Sequence, residues 1–222
     1  MSRRLTTSLL TVLAIALLAG CDTAALHHLR GRAHIVNTLA AIMDRYQLYM
    51  YRADYRLADG SAATVAHGSQ PQRSEYWFTS GRYVVTPTVL ATCTGTTTCT
   101  LVTPYAYGRN NLDTAAVRRV SDQRFVPVEE VMSIITDAAQ ADGTTFTPTG
   151  ATIAGQYSHC VSVTGSTTFD ACITSRGVLS RFTGTVHGHK LDIEMTRFQR
   201  VPSGVSFGTP PGATIIDHRT TS

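Results

Sequence analysis

The architecture follows from two neighbouring stretches, Tyr157-Ser158-His159-Cys160-Val161 and Ala171-Cys172-Ile173-Thr174-Ser175-Arg176-Gly177-Val178-Leu179. Both are rich in β-branched and apolar residues, which fit the pleated surface of a sheet. We therefore predict strands from Thr152 to Val163 and from Thr168 to Ser175, joined by a turn that contains Gly165. Arg176-Gly177 then turns the chain again, so this part of the sequence predicts an antiparallel sheet.

The strand pattern continues towards the C-terminus. We predict strands from Val178 to Val186 and from Lys190 to Val201, separated by the turn His187-Gly188-His189. In the last strand, Asp192 and Glu194 alternate with apolar residues. They are therefore interpreted as a solvent-facing pair and not as catalytic carboxylates. In the Gly- and Pro-rich tail, Ile215-Ile216-Asp217 predicts one more short edge strand.

The first half of the domain shows the same alternation. Tyr49 to Leu57 alternates apolar and polar side chains, which is typical of a strand with one buried face. Turn residues then separate five shorter predicted strands: Ala63 to His67, Glu75 to Thr79, Arg82 to Thr86, Val89 to Thr94 and Thr98 to Thr103. Regularly spaced short strands predict an antiparallel meander.

Helical spacing appears in two places. Apolar residues recur every three or four positions between Ala33 and Arg45, so we predict an amphipathic helix there. A second helix is predicted to start with Pro127 at its first position and to end at Gly143. The stretch between Pro104 and Phe125 is predicted to be a loop with a short element around Ala115 to Val120.

The N-terminus has the pattern of an export signal. Arg3 and Arg4 precede an apolar run from Leu9 to Leu18, and small residues follow. Leu18-Ala19-Gly20-Cys21 resembles the lipobox of bacterial lipoproteins, in which the cysteine thiol receives a diacylglycerol before cleavage. The resemblance implies that residues 1–20 are a signal peptide, that Cys21 is the lipidated first residue and that residues 21–32 form a tether. We expect residues 33–222 to form a single domain outside the cytoplasm, anchored to the cell membrane.

The remaining four cysteines suit an oxidising compartment. Cys93, Cys99, Cys160 and Cys172 allow three disulfide connectivities. We favour Cys93 with Cys99 and Cys160 with Cys172, because each pair brackets a plausible hairpin turn. The spacings of a zinc site are absent from the sequence.

Composition and motifs argue against several functional classes. Charged residues make up 15% of the chain, and its net charge of +4 includes two arginines of the signal peptide. The basic residues are scattered, so no nucleic-acid partner is expected. Common hydrolase, metalloprotease and phosphate-loop motifs are absent. His187 and His189, together with His159, form only a weak candidate metal site. We expect no catalytic residues, no metal and no cofactor.

The order of elements, with the quoted hairpin, Leu191 to Phe198 and a Pro-rich end, resembles the LolA-like superfamily of envelope proteins, which includes the LprG and LppX lipoproteins. That resemblance implies an α+β, mostly β fold, a curved antiparallel half-open barrel covered by two helices. It also implies a non-enzymatic carrier or binder of an acylated lipid or glycolipid in an apolar cavity. The expected lining residues are Tyr51, Tyr55, Trp77, Val131, Met132, Ile135 and Phe182.

Two other interpretations stay open. A non-catalytic interaction or sensor domain would have a filled core and would dock an envelope partner through an exposed apolar patch. An exported enzyme would have a polar cleft with converging titratable groups, for which the sequence offers only the His187 turn. A carrier would instead have a large apolar cavity.

Overall fold

The computed structural model describes residues 31–45, 48–95, 97–104, 114–200 and 207–219. The predicted signal peptide, Cys21 and the tether up to residue 30 lie outside these residues, as do residues 105–113 of the predicted loop. Helices span residues 31–45 (α1), Thr114–Ser121 (α2) and Val128–Gln140 (α3). The strands in chain order are Tyr51–Arg56 (β1), Ala62–Ser69 (β2), Gln72–Phe78 (β3), Gly81–Val85 (β4), Leu90–Thr94 (β5), Thr98–Val102 (β6), Thr145–Ile153 (β7), Gln156–Thr164 (β8), Phe169–Thr174 (β9), Leu179–Val186 (β10), His189–Arg200 (β11) and Thr214–Asp217 (β12).

All of these strands belong to one sheet, in the order β12-β6-β5-β4-β3-β2-β1-β11-β10-β9-β8-β7. Neighbouring strands are antiparallel except at one edge, where β12 lies parallel to β6. The sheet curves into a half-open barrel, and helices cover its inner face. The predicted fold class is confirmed, and the short edge strand at Ile215 is present.

One predicted strand was wrong. Thr152 to Val163 was expected to run straight, but the chain reverses at Ala154 and Gly155, whose φ angles are 48° and 73°. Positive φ at two consecutive residues makes the tight turn that suits a hairpin. The preceding strand, β7, was missed because Pro148 and Gly150 are unusual in strands. An edge strand tolerates such a proline, and β7 is the edge beyond β8.

Helix α3 begins one residue later than predicted. Pro127 is its N-cap, with φ −63° and ψ 151°, and Val128 is the first helical residue. The helix ends at Gln140, and Gly143, at φ 69°, lies in the turn that follows. Glu129 and Glu130 occupy the first turn, where negative charge is favourable.

The apolar stripes of the helices pack on the inner face of the sheet. Leu39 and Ile42 of α1 join the main core with five residues of α3, namely Val128, Val131, Met132, Ile135 and Ala138. Arg32 Nη1 donates a 2.8 Å hydrogen bond to the carbonyl oxygen of Ala141. The beginning of α1 therefore lies beside the end of α3.

Two disulfides connect neighbouring strands. Cys93 bonds Cys99 between β5 and β6, and Cys160 bonds Cys172 between β8 and β9. This is the pairing that the turn spacing favours, and it is typical of proteins in oxidising compartments. Among the described residues, no helix is both long enough and apolar enough to span a bilayer.

Candidate functional site

Six of the seven predicted lining residues lie together in the interior. They belong to the main core and each is buried: Tyr51, Tyr55, Val131, Met132, Ile135 and Phe182. The alternation of β1 and the stripe of α3 bring them to the same side of the sheet, as the sequence pattern predicts. Their surroundings decide whether they can hold a ligand.

Trp77 does not join them. Its indole ring lies on the outer face of the sheet, with the guanidinium carbons of Arg52 and Arg82 at 5.5 and 5.1 Å from its centre. Arg52 alternates with the buried Tyr51 and Ala53. The prediction of Trp77 as a lining residue was wrong because neighbours in a strand face opposite sides, and Tyr76 takes the inner position.

The interior is closed by Phe125, which the sequence analysis left without a role. It follows α2, and its ring contacts Tyr55, Tyr76 and Phe78, with centre separations of 5.1, 6.2 and 6.1 Å. Arg124, at φ 58°, turns the backbone immediately before it. The signal in the sequence was the apolar pair Phe125-Val126 directly ahead of the helix.

A small cleft remains between β1, β3 and the start of α3. Its volume is about 10 Å³, which is the space of a single water molecule. Sites for drug-sized ligands measure roughly 300–1,000 Å³. The residues that line the cleft are Tyr51, Tyr55, Val65, Ser74, Tyr76, Phe125, Pro127, Val128, Glu129 and Leu179. In this conformation the cleft has no room for an acyl chain.

A buried polar cluster borders the cleft. His67 Nδ1 lies 3.1 Å from Ser74 Oγ, and the imidazole stacks on Tyr51 with ring centres 5.7 Å apart. Burial lowers the pKa of His67 to about 3. A general base works best with a pKa near the ambient pH, so His67 is poorly matched to that role. Its position indicates a structural polar contact.

The tyrosines of this region are neutral donors. Burial, followed by the charge of Asp54, raises the pKa of Tyr55 far above its usual value, and the Tyr55 hydroxyl donates a 2.9 Å hydrogen bond to the carbonyl oxygen of Leu179. Burial likewise raises the pKa of Tyr51. Both hydroxyls are therefore neutral at neutral pH, and that of Tyr55 ties β1 to the start of β10.

The histidine turn has a different environment from the one considered in the sequence. His187 Nε2 lies 2.6 Å from Oε1 of Glu130 in α3, and Ser121 Oγ donates to Oε2 of the same carboxylate at 3.1 Å. His159 instead packs its ring against Tyr157 on β8, with centres 5.2 Å apart. The Glu130 carboxylate of α3 therefore joins the β10–β11 turn, through His187, and the end of α2, through Ser121.

The outer face carries a second, smaller apolar cluster. Val84, Ala91 and Leu101 are buried there, and Phe207 of the C-terminal tail packs against them. The guanidinium of Arg73 lies 4.7 Å from the centre of the Phe207 ring. We call Gly68, Arg73, Val84, Ala91 and Leu101 the tail patch.

Charged pairs on the outer face differ in burial. Glu75 and Arg82 form an ion pair in which the Glu75 side chain is fully buried and that of Arg82 is 14% exposed. Glu194 lies between Arg56 and Arg181, at 3.7 and 3.3 Å, and is 35% exposed. As predicted for the alternating strand β11, Glu194 lies on the side opposite the core.

Comparison with known proteins finds similarity in fold but not in sequence. No protein-family model matches the chain, and no curated protein matches it. An uncharacterized conserved protein from Thermus thermophilus superposes with a TM-score of 0.50 at 10% identity, covering 82% of this chain and 98% of that one.

Two further solved structures have lower scores. The MucA/MucB complex of Pseudomonas aeruginosa superposes with a TM-score of 0.47 at 11% identity, covering 75% of this chain and 56% of that one. LprF from Mycobacterium bovis superposes with a TM-score of 0.40 at 12% identity, covering 80% and 97%. The LolA-like assignment stays a prediction.

Proposed function

We propose that this chain is a lipid-anchored binding domain of the cell envelope that docks a protein partner on its surface. It does not carry an acyl chain inside. The observation that supports this proposal most strongly is the packing of the interior among the described residues, where Phe125 and α3 occupy the concave side of the sheet. The carrier interpretation would require these elements to move apart.

Apolar side chains are exposed towards both ends of the sheet. Ile215 and Ile216 are 44% and 42% exposed on the edge strand β12, and Tyr157 is 57% exposed at the other end of the sheet. Edge strands are ready templates for pairing with another chain. A filled core with exposed apolar edge residues is the arrangement expected of an interaction domain.

The anchor would keep this surface near the membrane. Residues 21–30 separate the proposed lipid on Cys21 from α1, and ten extended residues span at most about 35 Å. Two or three acyl chains hold a protein on a bilayer stably, at about 0.8 kcal/mol per buried methylene. The domain would therefore sample partners at or close to the membrane surface.

A lipid-transfer experiment tests the proposal. The mature chain with Cys21→Ser is mixed with vesicles that contain a fluorescent acyl lipid, and bound lipid is measured after gel filtration. We expect no bound lipid, because the cleft has the volume of one water molecule. The matched variant Phe125→Ala shows how much uptake an opened interior permits. Stoichiometric uptake by the chain that retains Phe125 would overturn the proposal in favour of a carrier.

A further inference from the structure

We propose that the outer face of β2–β6 is a strand-docking surface that the chain's own tail, residues 207–219, occupies in this structure. A protein partner docks there with a segment of the same chemistry, an aromatic ring followed about seven residues later by a short apolar strand. This inference rests on the proposed function and specifies its partner. The tail itself shows the two parts of this surface, a site for an aromatic ring and a strand edge that pairs through backbone hydrogen bonds.

The first half is a site for an aromatic ring. Phe207 packs on Val84, Ala91 and Leu101, and Arg73 stacks above it. A Cβ atom on Gly68 would lie 2.9 Å from the Phe207 ring and 2.9 Å from Arg73 Nε, the two groups that stack here. A glycine at this position therefore leaves the space that the stacked Phe207 ring and Arg73 fill, and the tail patch selects a flat apolar group next to a cation.

The second half is the edge of β6. β12 pairs with it in parallel, with Thr214 opposite Thr98 and Asp217 opposite Leu101. The amide of Thr214 donates to the carbonyl oxygen of Thr97 at 2.7 Å, and that of His218 to Leu101 at 2.8 Å. Amides alternate in direction along a strand, so that of Ile216 also points to β6 and that of Ile215 points away.

The tail is held weakly compared with the rest of the sheet. All four residues of β12 are exposed, so its side chains add little burial and the strand depends on backbone hydrogen bonds. Parallel pairs are slightly less stable per residue than antiparallel ones. A Pro210-Pro211-Gly212 connector separates the ring from the strand. A segment that repeats the ring and the backbone pairing can therefore replace the tail.

Peptide binding to full-length variants tests whether such a segment can replace the tail. Ile216→Pro removes an amide that points to β6, whereas Ile215→Pro is the matched control that removes an outward amide. A fluorescent peptide of residues 207–219 should bind the Ile216→Pro protein at least tenfold more tightly than it binds the Ile215→Pro or unaltered protein. In the Ile216→Pro background, Gly68→Ala should weaken peptide binding at least tenfold, as should Phe207→Ala within the peptide.

Hydrogen exchange on the unaltered protein gives a second measurement that needs no variant. The amides of Ile216 and His218 should exchange at least a hundredfold faster than those in the middle of β4 and β5. Equal protection would overturn the proposal, as would equal peptide binding by the two proline variants. The lipid-transfer experiment does not involve the tail, so failure of this inference and failure of the proposed function are distinguishable.

Discussion

The two faces of the first half of the sheet are closed in different ways. On the inner face, aromatic and aliphatic side chains of β1 to β6 pack against helices and the Phe125 ring in one large core. On the outer face, Val84, Ala91 and Leu101 are covered only by Val89 of the β4–β5 turn and by the Phe207 ring of the tail. The inner face is covered by whole helices, whereas the outer cluster is covered by two side chains, Val89 and Phe207. The difference indicates that a ligand would gain access more easily outside than inside.

The largest effect is expected from Phe125→Ala. Truncating a buried aromatic ring costs about 3–5 kcal/mol because it leaves a cavity. The free energy of unfolding, measured with denaturant, should fall by that amount. Tyr157→Ala, at a side chain that is 57% exposed, should change it by roughly 0.5 kcal/mol or less. A loss at Phe125 no larger than at Tyr157 would mean that the interior is not closed as described.

Substituting one buried and one exposed glutamate on the outer face compares how much each charge contributes to stability. Glu75→Gln removes the charge that pairs with the largely buried Arg82, and breaking such a pair costs about 3 kcal/mol. Glu194→Gln, at an exposed carboxylate, should cost no more than about 1 kcal/mol. Unfolding of both variants by urea measures the difference. Similar losses would show that the Glu75 carboxylate is not shielded from water as its burial indicates.

The buried His67 on the inner face predicts that the free energy of unfolding depends on pH. The pKa of His67 is lowered to about 3 in the folded chain, so below about pH 6.5 the unfolded chain takes up a proton that the folded chain cannot. The free energy of unfolding should therefore fall between pH 6.5 and pH 3, by about 2 kcal/mol at pH 5.

His67→Asn is the matched control for this prediction. Asparagine keeps a polar partner for Ser74 but does not titrate. The variant should lose about 2 kcal/mol less than the unaltered protein between pH 7.5 and pH 5, as measured by urea unfolding. The same pH dependence in both proteins would mean that His67 is accessible to protons.

The smallest effect is expected at Trp77. Trp77→Leu removes a ring that two guanidiniums approach from the outer face, and exposed cation–π contacts are worth about 0.5–1 kcal/mol each. Thermal and urea unfolding should show a loss of about 1 kcal/mol. A loss as large as that of Phe125→Ala would place Trp77 in a packed core instead.

Much of the sheet was predictable from local patterns. The alternation from Tyr49 to Leu57 and the spacing of Val131 and Ile135 depend only on which side chains are apolar, and both elements formed where expected. Strand β7 was not predictable in this way. Its Pro148 and Gly150 carry no strand signal, and it is accommodated because it lies at an edge.

Which side chains fill the interior could not be predicted, because it depends on contacts between residues that are distant in the sequence. Three aromatics in a row, Tyr76, Trp77 and Phe78, cannot all face one side, and the sequence does not say which face is inner. Phe125 reaches Tyr55 from a distant part of the chain. The choice between a cavity and a filled core follows from such long-range packing.

Native mass spectrometry tests the filled interior most directly. The mature chain beginning at Asp22, without its lipid anchor, would be purified from a host that contains lipids and measured before and after solvent extraction. We predict the mass of the polypeptide alone in both samples, because Phe125 and α3 leave space for only one water molecule beside Tyr51 and Tyr55. An added acyl lipid that disappears on extraction would contradict the account and make the chain a carrier.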